Sequence, residues 1–303
     1  DAGGRPRDAA GEHDARAVSR PLRTSAAVAA AGALLGAAGC GGGGGSGEDG
    51  AQALRRTSAN LAKIRSGDLT LRLVLTPGTS GGGGRGVGVE MKGPFSFAGG
   101  GPLPVARVSY TQIAGGQQVP ATFISTGRAA FVEVNGTAYR LPRAQADVLR
   151  LGAGAGADAK GLDALQLDAR RWMRHPKLSS GPDVQGQKTD RITGDLNAGP
   201  ALSDLLGAAS RAGTGGGLQG ADARRLSETV RSSSIEVLTG AEDRLLRRVT
   251  VSADLDVPES LRRQVGGRAA LHLDFQLGVA RPNRQVTVTA PKDAKPLPRR
   301  QAG

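Results

Sequence analysis

A chain of 303 residues is long enough for one large domain or two small ones, yet only 3% of it is aromatic and 48 residues are glycine, so a core must be built of Leu and Val rather than rings. The formal charge of +13 comes from scattered basic residues with no block of five or more and no interleaved aromatics, which argues against nucleic acid and suits an anionic membrane surface. A single cysteine excludes a disulfide within the sequence.

The cysteine has informative surroundings. Arg16, Arg20 and Arg23 form a positive segment, and Ala26 to Ala38 is uncharged and apolar. That stretch has the length of a signal-peptide core and is too short to cross a bilayer as a helix. It ends Leu34-Leu35-Gly36-Ala37-Ala38-Gly39-Cys40, with small residues directly before the cysteine, as in a lipoprotein cleavage site. Ala37 stands where Leu is usual. The expectation is an N-terminal extension and lipoprotein signal peptide over 1–39, with a lipid on Cys40. A glycine-rich tether over 40–50 follows. Each buried methylene of an acyl chain contributes about 0.8 kcal/mol, so two chains give a stable membrane anchor.

Beyond the tether, Leu54, Leu61 and Ile64 with intervening basic residues predict an amphipathic helix over 51–64. The period then changes to two. Leu69, Leu71, Leu73 and Leu75 alternate with Asp68, Thr70, Arg72 and Val74, the clearest strand signal in the chain. Val87, Val89 and Met91 alternate again, and Lys92-Gly93-Pro94 reads as a turn. Strands are expected over 105–113, 119–125, 130–134 and 137–141. Gly115-Gly116 and Asn135-Gly136 supply hairpin turns. Pro142 opens a helical pattern to Leu151. Leu162 to Leu167 and the run through Trp172 read as irregular or helical, and Trp172-Met173-Arg174-His175-Pro176 holds the single tryptophan. Strand character returns at 184–196, helices are expected at 200–209 and 221–230, and four further strands at 235–238, 245–255, 269–279 and 285–290. The sum is an α+β fold: a large curved antiparallel sheet of about ten or eleven strands, forming a half-barrel around a few helices. One domain over 51–298 and a tail over 299–303 are expected.

Several of these segments resemble the LolA-like and LppX/LprG-like bacterial lipoproteins. They are the opening helix and long meander, the Trp172-x-x-x-Pro176 element, the strand Val184 to Leu196, the stretch Gly240 to Val249, Asn283, and the closing Ala290-Pro291. The resemblance implies a half-barrel enclosing an apolar cavity for acyl chains, in a protein that binds or carries lipids or lipoglycans. The residues themselves point the same way, because an inner face of Leu, Val and Met without bulky rings either closes on its helices or leaves room for an apolar ligand. The candidate lining is Leu69, Leu71, Leu73, Val87, Val89, Met91, Val108, Tyr110, Phe123, Phe131 and Leu273.

No catalytic constellation is visible. The glycine runs lack the Lys-Ser/Thr ending of a phosphate loop, and no nucleophile elbow occurs. His13, His175 and His272 have no partner ligand nearby in sequence, so neither a metal nor a cofactor is expected. Trp172 reads as a packing anchor, and Gly186-x-x-Thr189-Asp190 as turn chemistry. The preferred reading is a monomeric, membrane-anchored lipoprotein on the outer face of the cell membrane that binds and transfers lipid, with an envelope transporter as a partner class. The alternative is a structural or sensing lipoprotein with a filled core that binds an envelope protein. An enzyme acting on envelope polymers is the third, least supported reading.

Overall fold

The computed structural model describes residues 49–78, 86–97, 101, 103–142, 161–165, 167–211, 218 and 220–297. Cys40, the signal segment, most of the tether, the helix expected after Pro142 and the tail from 299 lie outside the described residues. All the described residues belong to one compact unit, Ser46–Gly303.

The first helix, α1 (Gly50–Ala59), starts where its sequence permits. Asp49 caps it, its Oδ1 accepting from Gln52 N at 2.6 Å. Ala53, Leu54, Thr57, Leu61 and Ile64 fall on one buried stripe that continues through a 3₁₀ turn, Asn60–Lys63. Gly50 is required by packing: a Cβ there would stand 2.3 Å from the carbonyl oxygen of Pro176.

Next comes a first meander of six strands: β1 (Ser66–Pro77), β2 (Val87–Ser96), β3 (Val105–Ala114), β4 (Gln117–Thr126), β5 (Ala130–Val134) and β6 (Thr137–Arg140). Its tight turns use residues that tolerate positive φ, Gly115 and Gly116 (φ 60 and 86) and Asn135 and Gly136 (φ 50 and 74). A second meander contains β7 (Met173–Ser180), β8 (Thr189–Leu196), β9 (Val230–Gly240), β10 (Leu246–Asp256) and β11 (Ala270–Ala280). Short helices punctuate it: α2 (Ala169–Trp172), α3 (Ala198–Arg211), α4 (Ala223–Ser227) and α5 (Glu259–Arg262). The two-residue β12 (Lys295–Pro296) ends the sheet.

These strands make one open sheet in the order β12-β6-β5-β4-β3-β2-β1-β11-β10-β9-β8-β7. Every pairing is antiparallel except that of β12 with β6. The meanders join where β1 lies along β11, from Asp68 opposite Ala280 to Pro77 opposite Leu271. The α+β class and the large, mostly antiparallel sheet agree with the sequence reading. The sheet has twelve strands, against the expected ten or eleven.

Alternation sorts the sheet's faces. On β11, Leu271, Leu273, Phe275, Leu277 and Val279 are buried, and Val249, Val251, Ala253 and Leu255 do the same on β10. The helices cover this inner face with Ala201, Leu202, Leu205, Leu206 and Ala209 of α3 and Leu226 of α4. The opposite face carries ion pairs, including Arg72 with Glu90 and with Asp274 (3.2 Å), and Arg191 with Glu236 (3.1 Å).

The structure differs from the sequence reading in three places. Lys92-Gly93-Pro94 is not a turn, since β2 runs straight through it. Gly93 is there because β3 comes close: a Cβ would stand 2.2 Å from the Arg107 carbonyl oxygen. The β2–β3 pairing is interrupted between Lys92–Ser109 and Phe95–Ala106, which accommodates a proline that cannot donate. Second, the helical reading of the run to Trp172 holds in α2, but β7, which starts directly after it at Met173, is a strand the sequence reading lacks. Pro176 is tolerated because β7 is an edge strand, irregular between Arg174 and Lys177, with His175 at φ 49. Third, residues 285–290 pair with no strand. After a turn at Arg281 and Asn283 (φ 47 and 64), this segment leads to β12.

Candidate functional site

The inner face differs from one end of the sheet to the other. Under the helices it is filled. Trp172 is 1% exposed, meets the edge of Phe275 at 5.8 Å, and donates from Nε1 to Asp204 Oδ2 at 2.9 Å. The space left among Leu54, Leu61, Leu162, Trp172, Phe275 and Leu277 is about 20 Å³, on the order of one water. Trp172 is therefore a packing anchor.

Across β1 to β6 the same face is less completely covered. Leu73, Val89 and Val108 are buried in the main core, as is Leu273 on the adjoining β11. Leu69, Leu71, Val87, Met91 and Tyr110 pack against that core but remain half-buried. Register aligns them into rows. Leu71 lies opposite Met91 and Met91 opposite Tyr110, while Val108, Phe123, Val132 and Tyr139 continue across β3 to β6. Phe123 is also half-buried, beside Leu103, Ala130 and Leu141. Burial pushes the Tyr110 hydroxyl pKa upward.

Phe131 departs from the expected set. It pairs with Ile124, whereas its neighbour Val132 pairs with Phe123, so Phe131 points to the other face of the sheet. A difference of one residue in register reverses a side chain.

A pocket of about 290 Å³ opens at the end of the sheet where β1 stops and β2 and β11 start. Leu75, Pro77, Val87, Leu218, Val265 and Leu271 supply its apolar wall, and Gln264 and Arg268 lie on its border with Gly115 and Gly266. Of the eleven expected lining residues only Val87 borders it. Leu75 and Leu271 were accessible to sequence reasoning as continuations of the β1 and β11 alternation. Leu218 follows a glycine run and carries no periodic signal. A second, polar cleft of about 370 Å³ lies among Glu133, Thr137, Lys292, Asp293 and Lys295.

The remaining polar motifs hold structure. Asn60 Nδ2 donates to the carbonyls of Asp243 and Arg244 (3.2 and 3.3 Å), fastening α1 to the β9–β10 turn. Just after that turn the buried Arg247 of β10 donates to Gln187 Oε1 (3.1 Å) and Asp243 Oδ2 (2.7 Å), and within the turn Arg244 bonds to Asp190. Thr189 Oγ1 donates to the Pro182 carbonyl at 2.6 Å, in keeping with turn chemistry. His175 is hydrogen-bonded to Asp195 (2.8 Å) and His272 to Asp254 (2.9 Å). Among the described residues no group of three His, Cys, Asp or Glu side chains could hold a metal ion. No described helix is long and apolar enough to cross a membrane.

No protein-family model matches the chain, and no curated protein matches it. Among solved structures, the chain is similar to LprF from Mycobacterium bovis, at 12% identity and a TM-score of 0.40, over 80% of this chain and 96% of that one.

Proposed function

We propose that this chain is an exported binding protein, anchored to the outer face of a membrane through a lipid on Cys40, that takes up an acyl chain at the apolar end-pocket of its sheet. In this reading residues 1–39 are removed, 40–50 form the tether, and 51–298 form one ligand-binding domain. The observation that carries the reading is the partly covered apolar inner face of β1 to β4, ending in a pocket walled by Leu75, Val87, Val265 and Leu271. An apolar concavity with few polar groups is the usual form of a site for an apolar ligand. The sequence contains no nucleophile–base motif, so binding rather than catalysis is the role assigned. Transfer of the bound lipid to a second membrane or to an envelope transporter extends the same proposal.

Native mass spectrometry of the purified chain, before and after solvent extraction, tests it. The expected result is adducts of lipid mass that disappear on extraction and return when a fatty acid is added. A bare mass that stays bare after addition would sink the acyl-chain reading. The filled interior beneath α1 and α2 favours one alternative, a lipoprotein with a closed core that recognises an envelope protein. That alternative would then stand.

A further inference from the structure

The end-pocket is apolar inside and cationic at its border. Its wall is Leu75, Val87, Val265 and Leu271, whereas Arg268 stands exposed on its rim. No acidic side chain is among the described residues that line it. Arg268 makes no hydrogen bond or ion pair with another described residue, in contrast to Arg72, Arg191, Arg244 and Arg247, which are held by carboxylates. The same turn carries Arg262 and Arg263. Arg262 is engaged by the Val257 carbonyl at 3.3 Å. A guanidinium at the mouth of an apolar pocket is placed for a carboxylate or phosphate, which it can grip with two parallel N–H donors. Size limits the ligand further. About 290 Å³ is at the low end of small-molecule pockets and suits one alkyl chain rather than several.

We infer that the end-pocket selects a single-chain anionic amphiphile, with its alkyl chain against Leu75, Val87 and Leu271 and its carboxylate or phosphate at Arg268. This rests on the acyl-chain reading above and adds charge selection and chain number to it. A free fatty acid and a monoacyl phospholipid share this chemistry.

The test compares three probes of equal chain length on the full chain: dodecanoate, dodecyl phosphate and the uncharged 1-dodecanoylglycerol. Affinities are measured by isothermal titration below the micelle concentration. Both anions are expected to bind about tenfold more tightly than the neutral probe, the increment of one charge-assisted contact. The preference should shrink as salt is raised. Arg268→Gln should remove the preference of the pocket for anions, and Arg268→Glu should reverse it. Arg263→Gln serves as a control and should keep it. Arg268 is exposed, so these variants are expected to fold, and circular dichroism checks that they do. Preference for phosphate over carboxylate would point to a phospholipid source, and the reverse to a fatty acid. Equal binding of charged and neutral probes, or a preference that survives Arg268→Gln, would overturn the charge inference while leaving the acyl-chain reading intact. If none of the probes binds, it is the acyl-chain reading that fails.

Discussion

The two meanders of the sheet treat their inner faces differently. β9 to β11 present Val, Leu, Ala and Phe side chains that α1, α2, α3 and α4 cover almost completely. β1 to β4 present side chains of the same kind, yet Leu69, Leu71, Met91, Tyr110 and Phe123 stay half-buried. Composition does not distinguish the two faces. What differs is whether large side chains from helices, Trp172 above all, reach across. One apolar surface can thus serve as core on one side of β1 and as a receptive surface on the other, without any change of residue type.

If the comparison holds, truncations should cost unequally. Trp172→Ala should have the largest effect, a loss of about 3–5 kcal/mol in chemical denaturation, because it opens a cavity lined by Phe275 and Leu54. Met91→Ala, on the partly covered face, should cost about 1 kcal/mol, since part of its area is already open to solvent and the site can relax. Equal costs for the two would show that the faces are packed alike and would remove the physical basis for a receptive surface.

The smallest effect is expected at the seam. Burial pushes the Asp68 carboxyl pKa up, but hydrogen bonds and charges from Arg284 and Arg281 outweigh it and hold it below the usual carboxylate range. Arg284 approaches Asp68 at 2.6 Å and Arg281 at 2.8 Å. A lowered folded-state value means that this contribution is present above the unfolded carboxylate pKa of about 3.9 and disappears as pH falls through the folded value beneath it. Asp68→Asn should remove that part of the acid dependence and cost at most about 1 kcal/mol at neutral pH, as befits a pair reaching solvent. Denaturation midpoints from pH 7 to 2, in both forms, measure it. An unchanged acid profile in the variant would mean that Asp68 does not fasten the segment after β11.

Much of the first meander was legible. The Leu69 to Leu75 alternation and the Asn135-Gly136 turn are local signals that tertiary structure left in place. Misreadings fell where a local signal had a nonlocal cause. Gly93 is a close-approach glycine and Pro94 sits in a ladder gap, so together they imitated a turn. Pro176 hid β7 because an edge strand tolerates what an interior strand does not. The face of Phe131 was signalled only by Glu133, which shares it, because every other residue of this five-residue strand is apolar or small. The end-pocket was illegible for a different reason: Leu218, Val265 and Arg268 belong to short connections, and only the folded chain brings them to the end of β1.

The pairing of β1 with β11 has a consequence for how the molecule is made. Asp68 and Arg281, which meet at one end of this seam, are 213 residues apart. Local hairpins in each meander can close within microseconds, whereas the seam must pay the entropy of a very long loop. During synthesis β1 would carry an open backbone edge until β11 has been completed. An open edge of alternating leucines is a template for pairing with other chains. Refolding should therefore show a slow phase reporting on the seam, and the yield of native protein should fall steeply as concentration is raised during that phase.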